Sequence, residues 1–210
     1  MISSGGYDRV NYSRPIAQLN YMNLHRLAQQ ILGRATCRVG ARSRLSQAAR
    51  IKNAAGDSDR ILIGSDTFVR GELMTFGHGG KIVLGDWCYV GDGTRIWSAV
   101  SIEIGHRVLI SHSVNIFDNL THPLQASQRH QQAREIFERG HPRKLELGEQ
   151  PVTIHDDAWI GAGAFVLRGV TVGQGAIVAA GAVITRDVPA FSIAAGNPAV
   201  VVRELSPDER

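Results

Sequence analysis

The sequence predicts an all-β fold, a parallel β-helix built from coils with three flat sides. Three observations carry this. Aliphatic residues recur at every sixth position, small residues recur four places after them, and residues 152–189 leave no room for a helix between repeats.

The register is cleanest from Ile154 onward, through Ile160, Val166, Val172, Val178 and Ile184. Ala158, Ala164, Val170, Ala176, Ala182 and Val188 are the small residues that follow. Upstream, Ile63, Val69 and Thr75 begin one set, Leu84, Val90 and Ile96 the next, and Ile104, Ile110 and Ile116 a third. A period of six fits neither a helix, which scatters i and i+6 around its axis, nor one strand of a hundred residues. Short strands joined by turns fit it. Each hexapeptide is one side, three sides are one coil, and coils stack at about 4.8 Å through backbone hydrogen bonds. The aliphatic residue points inward, the small residue at position five fills the corner, and Gly or Ala at position two lets the chain bend. Aliphatic–Gly pairs also mark parallel α/β sheets, but those need helical stretches of about 10 to 15 residues between strands. Extra residues fall at corners, in the GHGG run near residue 78 and at Ser101–Ile102.

Composition agrees with a narrow aliphatic core. The 210 residues are 43% hydrophobic but only 6% aromatic, with 23 glycines for tight turns. No apolar run approaches the roughly 20 residues of a membrane helix, and the opening MISSGGYDRVNYSRP lacks the apolar stretch of a secretory signal. Cys37 and Cys88 form neither a disulfide framework nor a metal signature, so a cytoplasmic location is expected. Charge is uneven: residues 1–60 hold ten Lys and Arg against three Asp and Glu, and the remainder thirteen against sixteen. The basic N-terminal part reads either as attraction to a membrane surface or an anionic substrate, or as a solvated arginine-rich surface. Its arginines are dispersed and lack interleaved aromatics, so no nucleic-acid partner is expected.

The domain boundaries follow. Residues 1–60 form a basic extension, with an amphipathic helix over about 14–32 and irregular first coils after it. That helix reads as a cap docked on the first coil or as an arm lying on a membrane or partner. Residues 61–205 form the β-helix and 206–210 a tail. Residues 118–151 break the register, with a helical turn or two in HQQAREIFERG; a long loop in an otherwise regular domain points to function. Within it DNLTHPLQ carries His122, directly after the point where a coil side ends. His25, His78, His106, His112, His130, His141 and His155 read as solvated or hydrogen-bonded histidines. Spacing alone leaves His122 equally balanced between that reading and a functional one.

The run WIGAGAFVLRGVTVGQGAIVAAGAVITRDVPAFSIAAGNPAVVVREL, with the Thr-His-Pro tripeptide at 121–123, resembles the hexapeptide-repeat acyltransferases, in their maltose, galactoside and xenobiotic O-acetyltransferase branch. The likeness covers about residues 60–205. It implies a left-handed β-helix, homotrimers with the site between neighbouring subunits, and acetyl-CoA as the acyl donor. His122 matches the family's catalytic histidine. It would act as general base on a hydroxyl of a sugar or polysaccharide-type acceptor, in direct transfer without an acyl-enzyme. Asp118 would fix the imidazole tautomer or bind the acceptor; a turn aspartate is the equal alternative. Asn119 is a weaker acceptor contact.

The resemblance also implies coenzyme contacts. Ala162 and Ala180 match backbone contacts to the pantetheine arm, and Trp159 lies beside that arm. Thr185 and Arg186 match a Thr–Lys pair near the nucleotide, and Arg203 matches a basic residue near the phosphates. One feature departs from the family: in VGDGTRIW, Gly and Asp stand where the sugar enzymes hold the acceptor with an asparagine, leaving Asp92 as a substitute and the specific sugar in doubt. No metal is expected. The alternatives are a zinc enzyme of the γ-carbonic-anhydrase kind on the same helix and a non-catalytic β-helix binding module.

Overall fold

A computed structural model describes residues 36–142 and 145–210; the amphipathic helix expected at 14–32 lies outside the described residues. The chain winds as a left-handed β-helix, and each coil adds one strand to each of three parallel sheets, here called sides A, B and C. The first coil is β1 (Arg38–Val39), β2 (Arg44–Leu45) and β3 (Arg50–Asn53). The second is β4 (Ile61–Ile63), β5 (Phe68–Val69) and β6 (Glu72–Thr75), and the third is β7 (Ile82–Leu84), β8 (Tyr89–Val90) and β9 (Arg95–Ser98). The fourth is β10 (Ile102–Ile104), β11 (Leu109–Ile110) and β12 (Asn115–Phe117). After the loop come β13 (Val152–Ile154), β14 (Trp159–Ile160) and β15 (Phe165–Val166), then β16 (Thr171–Val172), β17 (Ile177–Val178) and β18 (Val183–Ile184). An antiparallel hairpin of β19 (Ser192–Gly196) and β20 (Ala199–Glu204) ends side B.

The sixth-position aliphatics from Ile154 to Ile184 and the small residues from Ala158 to Val188 are all buried. Stacking identical positions gives one continuous aliphatic column, each fully buried Ile or Leu contributing about 1.5–3 kcal/mol. Coils also need backbone to pass close to backbone. A Cβ on Gly161 would lie 2.5 Å from Ala180 N, and one on Gly85 would lie 2.4 Å from Gly105 O.

Two expectations are corrected. Thr75 was grouped with Ile96, but Leu73 pairs with Ile96 and Thr75 with Ser98. The corner at Arg70–Gly71 is two residues shorter than the one at Gly91–Thr94, and a Cβ on Gly71 would lie 2.6 Å from Thr94 O. The first coil, read as irregular, is regular: β1, β2 and β3 pair in parallel register with β4, β5 and β6. Their periodicity is hard to read because half-exposed Val39, Leu45 and Ile51 alternate with arginines.

The GHGG and 118–151 insertions sit at corners, whereas Ile102, read as part of a corner insertion, opens β10 and is buried. The GHGG run turns between β6 and β7, with Phe76 bridged to Gly79. The 118–151 excursion leaves after β12 and returns in register, Ile102 opposite Val152. Its helix, α1 (Ala126–Arg139), has 14 residues, longer than the turn or two read from the sequence. It ends where Gly140 takes a φ of 87° and donates its N–H to Ile136 O. Among the described residues no helix is long and apolar enough to cross a membrane.

Candidate functional site

The loop that carries His122 is tied down at its base. Gln150 N donates to Asp118 O and Leu120 N donates to Leu147 O, so the outgoing and returning strands zip together. Asp118 is fully buried. Its carboxylate accepts from Ser98 Oγ at 2.7 Å, Ala99 N at 2.7 Å, Val100 N at 2.9 Å and Asn119 Nδ2 at 2.9 Å. These four donors fill the usual lone-pair directions of a carboxylate. Asn119, 5% exposed, uses its Oδ1 to accept Thr121 N at 2.8 Å, an Asx turn that sets Thr121 in the left-handed region at φ 61°. Asp118 and Asn119 thus build the turn that presents His122.

The imidazole itself is exposed. Its Nδ1 lies 2.8 Å from Gln132 Oε1, and Nε2 has no protein partner among the described residues. Asp118 was read as a tautomer partner or acceptor contact or, equally, as a turn aspartate; its contacts are those of the turn, and Gln132 of α1 faces Nδ1. Gln132 was missed because it lies ten residues on, and the helix that carries it back was read as only a turn or two. The available signal was a glutamine among the polar residues of HQQAREIFERG, and nothing in the sequence set it apart from its neighbours.

The remaining candidates fall into two groups on different edges of the prism. The corner between sides B and C carries a stacked column of Asp92, His112, Ala162 and Ala180. The stacking is direct: Ser113 N donates to Asp92 O, Gly163 N to His112 O and Gly181 N to Ala162 O. The backbone N–H groups of Ala162 and Ala180 have no partner among the described residues. Trp159 stands beside this edge on the outer face of side B, 49% exposed, between Leu109 and Ile177 in register, with its Nε1 3.4 Å from Ser111 Oγ. A cavity of about 620 Å3 opens on the same edge, lined by Tyr89, Asp92, Gly93, Ser111, His112 and Ser113. Asp92 is paired with Arg70 at 2.8 Å.

The second edge, between sides C and A, carries the His122 loop after β12 and Thr185–Arg186 after β18, all exposed. Arg186 lines a smaller cavity of about 220 Å3 with Ile184, Val188, Ala194, Val200 and Val201. Arg203, on β20, is held by Glu209 through two bonds of 2.7 and 2.9 Å. The two edges bound opposite ends of side C, six residues or about 20 Å of extended chain apart.

His106 and His112, the pair behind the zinc alternative, lie at different corners, and no three His, Cys, Asp or Glu side chains gather as metal ligands among the described residues. His106 Nδ1 instead accepts Asp86 N at 3.0 Å, doing at that corner what Asp86 and Asp156 do for Ser65 N and His106 N.

Comparison with known proteins fixes the family. The sequence profile described as "Bacterial transferase hexapeptide (six repeats)" matches residues 151–186. A candidate acetyltransferase of Saccharomyces cerevisiae is 34% identical over 149 residues, 70% of this chain and 69% of its own length. The chain belongs to the hexapeptide-repeat acetyltransferases. Its enzymatic class is therefore acyl transfer. A 2,3,4,5-tetrahydropyridine-2,6-dicarboxylate N-acetyltransferase of Staphylococcus aureus is 59% identical over 56 residues, 27% of this chain and 23% of that one. Among solved structures, a mutant of AntD, an N-acyltransferase from Bacillus cereus in complex with dTDP-4-amino-4,6-dideoxyglucose and coenzyme A, superposes with a TM-score of 0.67 over 86% of this chain and 90% of its own. At 17% identity it speaks for the fold alone. A maltose O-acetyltransferase from Clostridium difficile 630 is 25% identical, with a TM-score of 0.52 over 85% of this chain and 75% of its own. In this hexapeptide-repeat enzyme the long loop and the open corner column are therefore the places to look for chemistry.

Proposed function

We propose that this enzyme moves an acetyl group from acetyl-CoA to a hydroxyl of a sugar-type acceptor, with His122 as general base and the site shared between copies of the chain. One observation carries this reading: His122 stands on one edge of the prism with Nε2 free, while the open N–H groups of Ala162 and Ala180 line another. A single chain keeps the two apart across side C. A second copy, its corner column set against the first copy's loop, brings them together. The groups left facing solvent suit that contact: Leu124 and Phe137 on the loop are 79% and 93% exposed, and Leu109 and Trp159 on side B about half. A homotrimer closes such a heterologous contact into a ring.

In the reaction, Nε2 takes the acceptor hydroxyl proton as the oxygen attacks the thioester carbonyl. The tetrahedral intermediate then expels the coenzyme sulfur, and the imidazolium returns the proton to the leaving thiolate. The products are the O-acetyl ester and free coenzyme A. The pantetheine arm would run along the Ala162–Ala180 column beside Trp159, and Thr185, Arg186 and Arg203 would meet the nucleotide and its phosphates. The cavity above that column, with Asp92, Ser111 and Ser113, offers the polar groups a saccharide needs. The maltose O-acetyltransferase likeness supports a hydroxyl acceptor.

A screen of saccharide and amino-sugar acceptors with labelled acetyl-CoA tests the reading, together with His122→Ala. Expected is transfer to a hydroxyl that falls about 10²–10⁴-fold in the variant while its melting temperature holds. Full activity in that variant, or a monomer mass by light scattering in an active preparation, refutes it.

A further inference from the structure

We propose that Gln132 is a positioning residue that holds His122 in the single tautomer able to accept a proton at Nε2. This rests on the reading of His122 as the base. Gln132 is the one buried residue among the 14 of α1. A glutamine removed from water on an otherwise solvated helix needs partners for both ends of its amide, and it has them. Oε1 lies 2.8 Å from His122 Nδ1, and Nε2 donates to Thr121 O at 3.3 Å. The second bond fixes the first. Turned over, the amide would face its oxygen toward the Thr121 carbonyl, acceptor against acceptor. With Oε1 toward the ring, Nδ1 must carry the hydrogen, and the lone pair lies at Nε2.

The surroundings leave this role to Gln132. The carboxylate of Asp118 is occupied by its four donors, and Arg129 donates from Nη1 to the Pro123 and Leu124 carbonyls. Neither bonds to the imidazole. The backbone is set as well, His122 N donating to Leu120 O at 2.7 Å, so the ring's remaining freedom is the rotation and tautomer that Gln132 holds. The partner is a neutral amide where such triads commonly have a carboxylate. A neutral partner orients the ring through its hydrogen bond alone.

The test uses the full chain labelled with 15N-histidine, as wild type and as Gln132→Ala, Gln132→Glu and His122→Ala, the last assigning the signal. Expected in the wild type, for the neutral imidazole, are a protonated-type shift at His122 Nδ1 and an unprotonated-type shift at Nε2. Gln132→Ala mixes the two tautomers. Gln132→Glu, which still offers an acceptor oxygen to the ring, keeps Nδ1–H. In transfer from acetyl-CoA to the acceptor found by screening, Gln132→Ala lowers kcat at least about tenfold with KM for acetyl-CoA little changed. Gln132→Glu, which still offers an oxygen to Nδ1, recovers much of the rate. A wild-type spectrum with the hydrogen on Nε2, or shifts unaltered in Gln132→Ala, overturns the proposal even if His122 proves to be the base. Undiminished transfer in His122→Ala removes the base assignment, while the spectra still decide the tautomer.

Discussion

The buried carboxylate of Asp118 accepts a 2.7 Å hydrogen bond from Ser98 Oγ, joining the foot of the His122 loop to the corner of the preceding coil. Ala99 N and Val100 N converge on the same carboxylate. Removing it strands these donors and Asn119 Nδ2, four in all, and each hydrogen bond to a charged group is worth about 1.5–3 kcal/mol. Asp118→Ala should therefore destabilise the fold by about 3 kcal/mol or more and lower activity with it, checked by denaturant titration. Activity lost at unchanged stability would instead give Asp118 a direct part in the chemistry.

Gly161 and Gly163 separate two uses of glycine in one turn. A Cβ on Gly161 would strike backbone at 2.5 Å, whereas Gly163 has φ 68° and nothing within 4 Å. Gly163→Ala should cost about 1–2 kcal/mol, the penalty of a left-handed alanine. Gly161→Ala should cost about 3 kcal/mol or more, since the coils must part. Thermal melts of the pair give the ranking.

Arg203 and Glu209 form a pair whose charge state can be followed. Arg203, aided by Ser206 N–H and O–H, holds the Glu209 carboxyl down from an ordinary 4.5 to about 2. A carboxyl depressed by folding contributes fully above its ordinary value and loses that contribution as pH falls through 4.5 toward 2. Carboxyl NMR should show the low midpoint, and Arg203→Ala should raise it only part of the way back, since the two Ser206 bonds remain. If Arg203 meets coenzyme phosphates, Glu209 competes for it: Glu209→Gln should lower KM for acetyl-CoA and Arg203→Ala raise it, with kcat little changed.

Cys88 is buried, its thiol directed at Gly105 O at 3.0 Å, and burial pushes its pKa up. A thiol kept protonated is a poor nucleophile. Iodoacetamide near neutral pH should leave Cys88 unlabelled in the folded protein and label it once unfolded, read by peptide mass spectrometry.

The helix was legible because its determinants are local and repeated. Ile154 to Ile184 each occupy an equivalent inward position, so one rule is written many times over. Legibility failed where that rule is diluted, in the arginine-interrupted first coil, and where a corner shortens, at Gly71. His122 could be singled out from its motif and its place at a coil's end, but its partner could not. Gln132 reaches it only because α1 folds back.

What the sequence by itself determined, then, is the prism and the identity of the groups along it, since hydrophobic period and small corner residues act through neighbours six residues apart. Only the tertiary structure decided which of those groups share an edge. Asp118 was turned into the foot of the loop, Gln132 was brought to the imidazole, and His122 was placed across side C from the Ala162–Ala180 column. Those relations depend on how coils stack and where a loop lands, and contacts between residues distant along the chain leave no period to read.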